Sequence, residues 1–159
     1  MTTFLAIIQT SFRRQLTYRA ANLSGLATNL MFGFFRAGVL IALYQNRTSV
    51  NNLTIQGAIT YAALAQAIIG ILSFFHWFDL MNTVYDGQVG SDLLRPQNFF
   101  LYWLGIDGGR ALGSLLVRSI PLFAVFSLFY KVVLPKTLLQ WIAFASALLF
   151  SWLISFGWR

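Results

Sequence analysis

The chain has 159 residues, of which 58% are hydrophobic and only 9% are charged. Soluble domains usually carry about 25% charged residues, so the composition excludes a water-soluble surface, and the length leaves no room for a separate soluble catalytic domain. The net charge is +7 with no cysteine and a single histidine, His76, which excludes disulfides, thiolate metal sites and histidine clusters.

Residues 1–21 are predicted to form an amphipathic helix lying in the membrane interface. Four apolar residues recur on one face at helical spacing: Leu5, Ile8, Phe12 and Leu16. Polar residues, among them Arg14, lie opposite, where an interfacial helix places its arginines among lipid headgroups. An ordinary buried amphipathic helix would show the same stripe, because periodicity alone does not identify what the apolar face contacts.

Four transmembrane spans are predicted after this helix, which makes the chain an all-α, multi-pass membrane bundle. The predicted spans are residues 23–44, 57–78, 111–130 and 137–158. The second and fourth contain no Asp, Glu, Lys or Arg over 22 residues. Such a helix is about 33 Å long, enough to cross a hydrocarbon core of about 30 Å. Lipid offers backbone amides no hydrogen-bond partner, so these runs must be helical.

The first span carries a stripe of polar and small residues on one face: Asn22, Gly25, Asn29, Gly33 and Arg36. A charge near mid-span costs roughly 2.5 to 3.5 kcal/mol, so it should face protein or a watery cavity. Asn29, Gly33 and Arg36, with Gln66 of the second span, are therefore the predicted interior or pathway residues. The alternative is that the glycines and Gln66 serve only helix packing, while Arg36 extends to the membrane surface.

The third predicted span contains Pro121. Proline lacks the N–H that the helix needs and clashes with the preceding turn, so a kink is expected near the middle of this span. Such a kink serves either as a hinge or as a packing shape, and the sequence leaves both open.

Residues 79–110 hold all four acidic residues and are predicted to be too polar to cross the membrane. Within them, residues 87–96 read Gly-Gln-Val-Gly-Ser-Asp-Leu-Leu-Arg-Pro. Ser91 or Asp92 is predicted to cap a short helix that presents the apolar pair Leu93 and Leu94 and ends at Pro96. Such a helix suits docking onto a partner, and an amphipathic linker on the membrane surface fits the composition equally well.

The basic residues divide unequally between the two sides of the predicted bundle. Six arginines belong to the N-terminal side, Arg13, Arg14, Arg19, Arg95, Arg110 and Arg118, and three basic residues belong to the other, Arg47, Lys131 and Lys136. This excess predicts that the N-terminus and residues 79–110 are cytoplasmic. The charges flank apolar runs and are not interleaved with aromatic residues in a patch, so nucleic-acid binding is not expected.

The motif from Gly87 to Pro96, followed by Asn98-Phe-Phe-Leu-Tyr-Trp103 and a glycine-rich stretch from Gly105 to Gly113, resembles permease subunits of type-2 exporter ATP-binding-cassette systems. It is most similar to the bacterial branch with a cytoplasmic Leu-Leu-Arg-Pro or Leu-Val-Arg-Pro motif. The stretch Phe12-Arg-Arg-Gln-Leu-Thr-Tyr-Arg19 also resembles that branch.

The resemblance implies an interfacial elbow helix, six spans and a cytoplasmic coupling helix between the second and third spans. Four spans are recognised here, so a chain truncated after the fourth is expected. The coupling segment would comprise Gly87, Gly90, Ser91, Asp92, Leu93, Leu94, Arg95 and Pro96. Arg95 would pair with an acidic residue of the ATPase or anchor to lipid headgroups.

The resemblance also implies the partners: a separate ATPase subunit that binds ATP, and a second permease subunit in a homo- or heterodimer. The chain itself lacks the phosphate-binding motif Gly-x-x-x-x-Gly-Lys-Ser/Thr, so no cofactor and no enzymatic activity are expected of it. The expected location is the inner (plasma) membrane.

Two other function classes compete with this interpretation. One is a small oligomeric proton-coupled transporter or channel with four spans, which is disfavoured because no Asp lies within a predicted span. The other is an intramembrane enzyme, which is disfavoured because no paired acids, Ser/His pair or His cluster occurs at a span end.

Overall fold

The structure is a computed structural model and describes residues 2–45, 49–50, 53–72 and 79–158. Arg47, His76 and the last six residues of the predicted second span, 73–78, lie outside these ranges. The described residues form eight α-helices, one π-helical turn and one pair of two-residue strands. In chain order these are α1 (Thr2–Thr17), α2 (Arg19–Tyr44), β1 (Ser49–Val50), β2 (Leu53–Thr54), α3 (Ile55–Leu72), α4 (Asp79–Tyr85), α5 (Val89–Leu93), α6 (Phe99–Ser114), the π turn (Leu115–Ser119), α7 (Ile120–Phe129) and α8 (Leu138–Trp158).

The predicted all-α bundle is confirmed. Four helices are long and apolar enough to cross a membrane: Arg19–Tyr44, Ile55–Leu72, Phe99–Phe129 and Leu138–Trp158. The two strands pair antiparallel, with Ser49 opposite Thr54, and only tighten the connection between α2 and α3.

The N-terminal helix α1 packs along α6, with a different face from the predicted one. Its partly buried residues are Phe4, Ile7, Ile8, Ser11, Phe12 and Gln15. Leu5 is 62% exposed and Leu16 is also exposed, so these two residues of the predicted apolar stripe do not contact α6, and their side chains remain accessible to lipid. Two polar residues take their place because the facing helix presents acceptors to them. Ser11 Oγ, for example, donates to the carbonyl oxygen of Ile106 at 2.6 Å.

The third membrane helix begins at Phe99, 12 residues before the predicted start at residue 111. Asn98 caps it, since its side-chain oxygen accepts from the Leu101 N–H at 3.1 Å. Together α6, the π turn and α7 form a continuous helix of 31 residues. At about 46 Å it exceeds a hydrocarbon core of about 30 Å, so it tilts or extends beyond the core. The polar connecting segment is therefore residues 79–98.

The π turn lies directly before Pro121, at the place where a kink is predicted. The Ile120 N–H reaches back five residues to the carbonyl of Leu115. Pro121, which has no N–H to donate, follows directly as the second residue of α7. Ser119, the last residue of the π turn, donates its hydroxyl to the Ala67 carbonyl at 2.7 Å, which fixes the turn against α3.

The apolar core lies between α2, α3 and α7. Leu122 and Phe126 of α7 are completely buried there, and Phe126 stacks on Phe34 with ring centroids 5.0 Å apart. Gly33 of α2 makes room for the Phe126 ring, because a Cβ at position 33 would lie 2.6 Å from Phe126 Cζ. The last helix, α8, buries only Ser155 and Phe156. Most of its other apolar side chains are exposed, among them Leu138, Leu139 and Ile154.

Candidate functional site

The connecting segment between α3 and α6 folds into two short helices. Gly87 joins them with a φ of +72°, a left-handed conformation that favours glycine. The predicted short helix is present as α5. It ends at Leu93, three residues before Pro96, so Leu94 and Arg95 lie after the helix and not within it as predicted.

Neither Ser91 nor Asp92 caps this helix, so the predicted capping role was wrong. Both lie within α5, which begins at Val89. Ser91 Oγ donates to the carbonyl oxygen of Gln88 at 2.7 Å. Asp92 is buried, and its carboxylate pairs with Arg95 at 3.2 Å. The aspartate therefore holds the residues after the helix and does not cap its start.

Arg95 connects α5 to the third membrane helix. Besides its ion pair with Asp92, its guanidinium carbon lies 5.2 Å from the centroid of the Tyr102 ring on α6. A cation over an aromatic face at this distance is attracted by the ring. Arg95 therefore links Asp92 of α5 to Tyr102 of α6.

Large apolar side chains are exposed along the connecting segment. Leu94 is 87% exposed and Tyr85 is 90% exposed. The exposed set, called here the connecting-segment surface, comprises Met81, Val84, Tyr85, Leu93 and Leu94. Exposed apolar residues that recur within one short segment are typical of a surface that contacts a partner or a membrane.

The four predicted interior residues do not form one site. Gly33 and Gln66 are buried and adjacent, since a Cβ at position 33 would lie 3.6 Å from Gln66 Cγ. Asn29 is partly buried, whereas Arg36 is exposed. The structure thus does not bring Arg36 into the interior face. Arg36 lies instead in a shallow groove between α2 and α3, beside Phe32 and Tyr61.

A separate apolar cavity of about 590 Å³ lies between α3, α7 and α8. Ile68, Phe123, Leu134, Trp141 and Leu148 are among its lining residues. None of the predicted interior residues lines it. Apart from Ser119 and Gln140, its walls are apolar and suit an apolar ligand or a lipid chain.

A buried ion pair joins three helices and was missed in the sequence. The carboxylate of Asp107 is fully buried and lies 2.7 Å from Nη2 of Arg110. Its second oxygen accepts from the indole N–H of Trp152 on α8 at 2.8 Å. Arg110 also donates to the carbonyl oxygen of Ile71 at the end of α3, at 2.8 Å. These four residues are called the Asp107 cluster below.

Two predictions change with this cluster. Arg110 was assigned to the flank of a span, but it is buried and paired inside the bundle. Asp107 lies in the third membrane helix, so the statement that no acid occurs within a span was wrong. The spacing of three residues between Asp107 and Arg110, which places them on one helix face, was the available sequence signal.

A second polar cluster surrounds Arg118 on the π turn. Its guanidinium donates to Asn22 Oδ1 at 3.2 Å and to the carbonyl oxygen of Ala21 at 3.1 Å. Asn22 also binds Gln15, whose side-chain amide lies 3.4 Å from Ser114 Oγ. This Arg118 cluster therefore ties the junction of α1 and α2 to the third membrane helix.

The chemistry available at these places is ion pairing, hydrogen bonding and apolar contact. Among the described residues, no three His, Cys, Asp or Glu side chains come close enough to hold a metal ion. The chain matches no protein-family model, no curated protein and no solved structure.

Proposed function

We propose that this chain is the membrane-spanning permease subunit of an ATP-binding-cassette transporter of the exporter class, driven by a separate ATPase subunit. The observation that carries the proposal is α5 with the two residues after it. Leu93 and Leu94 are exposed there, while Arg95 pairs with the buried Asp92 and contacts Tyr102 on α6. A docking helix needs an accessible apolar face and a firm attachment to the element that it moves. In this proposal the N-terminus and the connecting segment are cytoplasmic, in the plasma (inner) membrane.

Arg95 links the end of α5 to α6, the helix that also carries the Asp107 cluster. Arg95 contacts Tyr102 at the start of α6, and one turn beyond it the Asp107 cluster joins α6 to α3 and α8. A displacement of α5 by a partner would therefore act on three membrane helices at once. Packed helices have discrete arrangements, so such a displacement favours one arrangement over another.

ATP would be bound and hydrolysed by the partner, and a second permease subunit would complete the pathway. The exposed apolar surface of α8 is available for that subunit or for lipid. The type-2 exporter resemblance of residues 87–96 supports the same assignment.

Purification of the tagged chain from its native membranes, followed by measurement of vanadate-sensitive ATP hydrolysis, tests the proposal. We expect Leu94→Asp to abolish both the co-purifying ATPase subunit and the activity, because a charge replaces an apolar docking side chain. The matched control is Leu138→Asp at the first residue of α8, where an acid suits the helix N-terminus. Undiminished ATPase recovery with Leu94→Asp, in a folded protein, would overturn the proposed role of α5.

Asp107 supports a second candidate, a proton-coupled transporter or channel, since ionisable residues inside membrane helices often mark proton pathways. Both carboxylate oxygens of Asp107 are engaged, by Arg110 and by Trp152, which favours a structural role. Proton flux into liposomes carrying the purified chain distinguishes the candidates. Flux that Asp107→Asn abolishes would favour the second candidate, and absence of flux in the wild type would exclude it.

A further inference from the structure

The guanidinium of Arg118 is held at a defined position between two membrane helices. A Cβ at Gly25 on α2 would lie 3.0 Å from Arg118 Cζ, and one at Gly70 on α3 would lie 3.7 Å from Arg118 Cδ. The Arg118 side chain therefore passes through a gap that these two glycines keep open. Nε is anchored to Asn22, whose side chain is only 1% exposed.

The groups around Arg118 do not neutralise its charge. The sequence contains four Asp and no Glu, and within the described residues three of these carboxylates pair elsewhere: Asp79 with Arg14, Asp92 with Arg95, and Asp107 with Arg110. None of the four lies within 4.0 Å of Arg118 in the described part of the chain. Both of its acceptors, Asn22 Oδ1 and the Ala21 carbonyl, are neutral.

Donors also remain on the guanidinium. Arginine has five N–H donors, and two of those on Arg118 are used within the described residues. A partly buried cation without a counter-charge is unfavourable, and an anion that accepts the remaining donors would offset that cost. The planar fork of an arginine matches the oxygens of a phosphate, to which it can donate two parallel hydrogen bonds.

The site lies toward the membrane surface on the side where the chain enters α2. Gly70 lies 15 residues from the start of α3 at Ile55, about 22 Å along the helix, and Gly25 lies 19 residues from the end of α2 at Tyr44, about 28 Å. Both distances are most of the way across a hydrocarbon core of about 30 Å. Arg118 Nη2 donates to the carbonyl oxygen of Ala21, the third residue of α2, so this end of the guanidinium lies near the end of that membrane helix. Basic pockets between helices at this depth bind anionic headgroups.

We propose that Arg118, positioned by Asn22 and the glycine gap, binds a phosphate oxyanion at this surface of the bundle. A phospholipid headgroup and a free phosphate-bearing solute present the same chemistry to the guanidinium. The proposal does not depend on the transport function above, because it needs neither the ATPase nor α5.

Native mass spectrometry of the purified chain in nanodiscs of mixed phosphatidylglycerol and phosphatidylcholine tests the lipid source. We expect the wild type to retain phosphatidylglycerol selectively. Arg118→Gln should retain about fivefold less phosphatidylglycerol than the wild type, because one basic residue contributes about that much to binding at an anionic surface. The matched control is Arg36→Gln, which removes an exposed arginine elsewhere on α2 and should leave retention unchanged. Measuring the melting temperature at increasing concentrations of inorganic phosphate tests whether the oxyanion comes from a free solute.

Two glycine variants separate position from charge and guard against misfolding of Arg118→Gln. Gly25→Ala displaces the guanidinium while keeping its charge, and should reduce retention as well. Gly38→Ala on the same helix has no atom within 4 Å of its new Cβ and should change nothing. Selective lipid retention, or stabilisation by phosphate that requires Arg118, supports the proposal. Equal lipid retention and equal phosphate response in wild type, Arg118→Gln and Gly25→Ala would overturn it.

Discussion

Gly109 on α6 lies directly against the main chain of Ile8 on α1, so closely that a Cβ at position 109 would overlap the Ile8 carbonyl oxygen. Gly105 and Gly113 lie one turn to either side on the same face, against Ile7 and Gln15 respectively. Three glycines at intervals of four residues give α6 a flat surface on which another helix packs closely. In this fold they bind the amphipathic N-terminal helix to the third membrane helix.

Replacing Gly109 with alanine should separate α1 from α6. We expect a loss of about 1–3 kcal/mol, the usual cost of overpacking, because both the Ile8 carbonyl and Ser11 Cβ stand in the way. Thermal unfolding in detergent measures the loss, and faster trypsin cleavage at Arg13 and Arg14 would report release of α1. Gly38→Ala is the control, since nothing contacts its new methyl group. A Gly109→Ala protein as stable as that control would contradict this packing.

The size of the residue at position 33 and the size of the residue at position 126 should depend on each other. Gly33→Ala is expected to destabilise the bundle by about 1–3 kcal/mol, because Phe126 is completely buried and its ring cannot move aside freely. Adding Phe126→Leu should recover part of that loss, although Phe126→Leu alone destabilises. Denaturation of the two single variants and the double variant gives the coupling energy. Strictly additive effects would show that the two positions are independent.

Removing the charge of Asp107 leaves the charge of Arg110 buried. We expect Asp107→Asn to cost about 3–5 kcal/mol, as for other buried pairs broken on one side. The double variant Asp107→Asn with Arg110→Met should be more stable than Asp107→Asn alone, because no uncompensated charge remains. Asp86→Asn, on an exposed residue, should change stability by less than about 0.5 kcal/mol. If Asp107→Asn and Asp86→Asn have the same free energy of unfolding, the buried ion pair does not stabilise the fold more than an exposed aspartate does.

Trp152 should couple α8 to the rest of the bundle through its indole N–H. Trp152→Phe keeps the apolar contact but removes the donor to Asp107, for an expected loss of about 1.5–3 kcal/mol. Denaturation followed by circular dichroism measures the loss. Trp141→Phe, on the same helix at a half-exposed position, should have little effect. Equal stability of the two variants would argue against the hydrogen bond.

The sequence predicts well those features that depend on neighbouring residues. The four membrane helices, a short helix before Pro96 and the exposed pair Leu93 and Leu94 were predicted from local composition and backbone chemistry. The start of the third membrane helix was misplaced because Asp107 and Arg110 were read as solvent-exposed charges. The prediction assumed a high free-energy cost for burying these charges. Their mutual pairing and their hydrogen bonds to α3 and α8 offset that cost.

What the sequence determined by itself is the class of protein: an all-helical membrane bundle. Apolar length and the need to satisfy backbone amides in lipid act within each segment, so no distant contact is required to infer it. Only the tertiary structure decided which face of α1 is buried, that Asp107 lies inside the bundle, and that Arg118 reaches Asn22. Each of these depends on residues from different helices, such as Ser11 and Ile106, which lie 95 positions apart. The periodicity of one helix cannot specify the chemistry of the surface it meets.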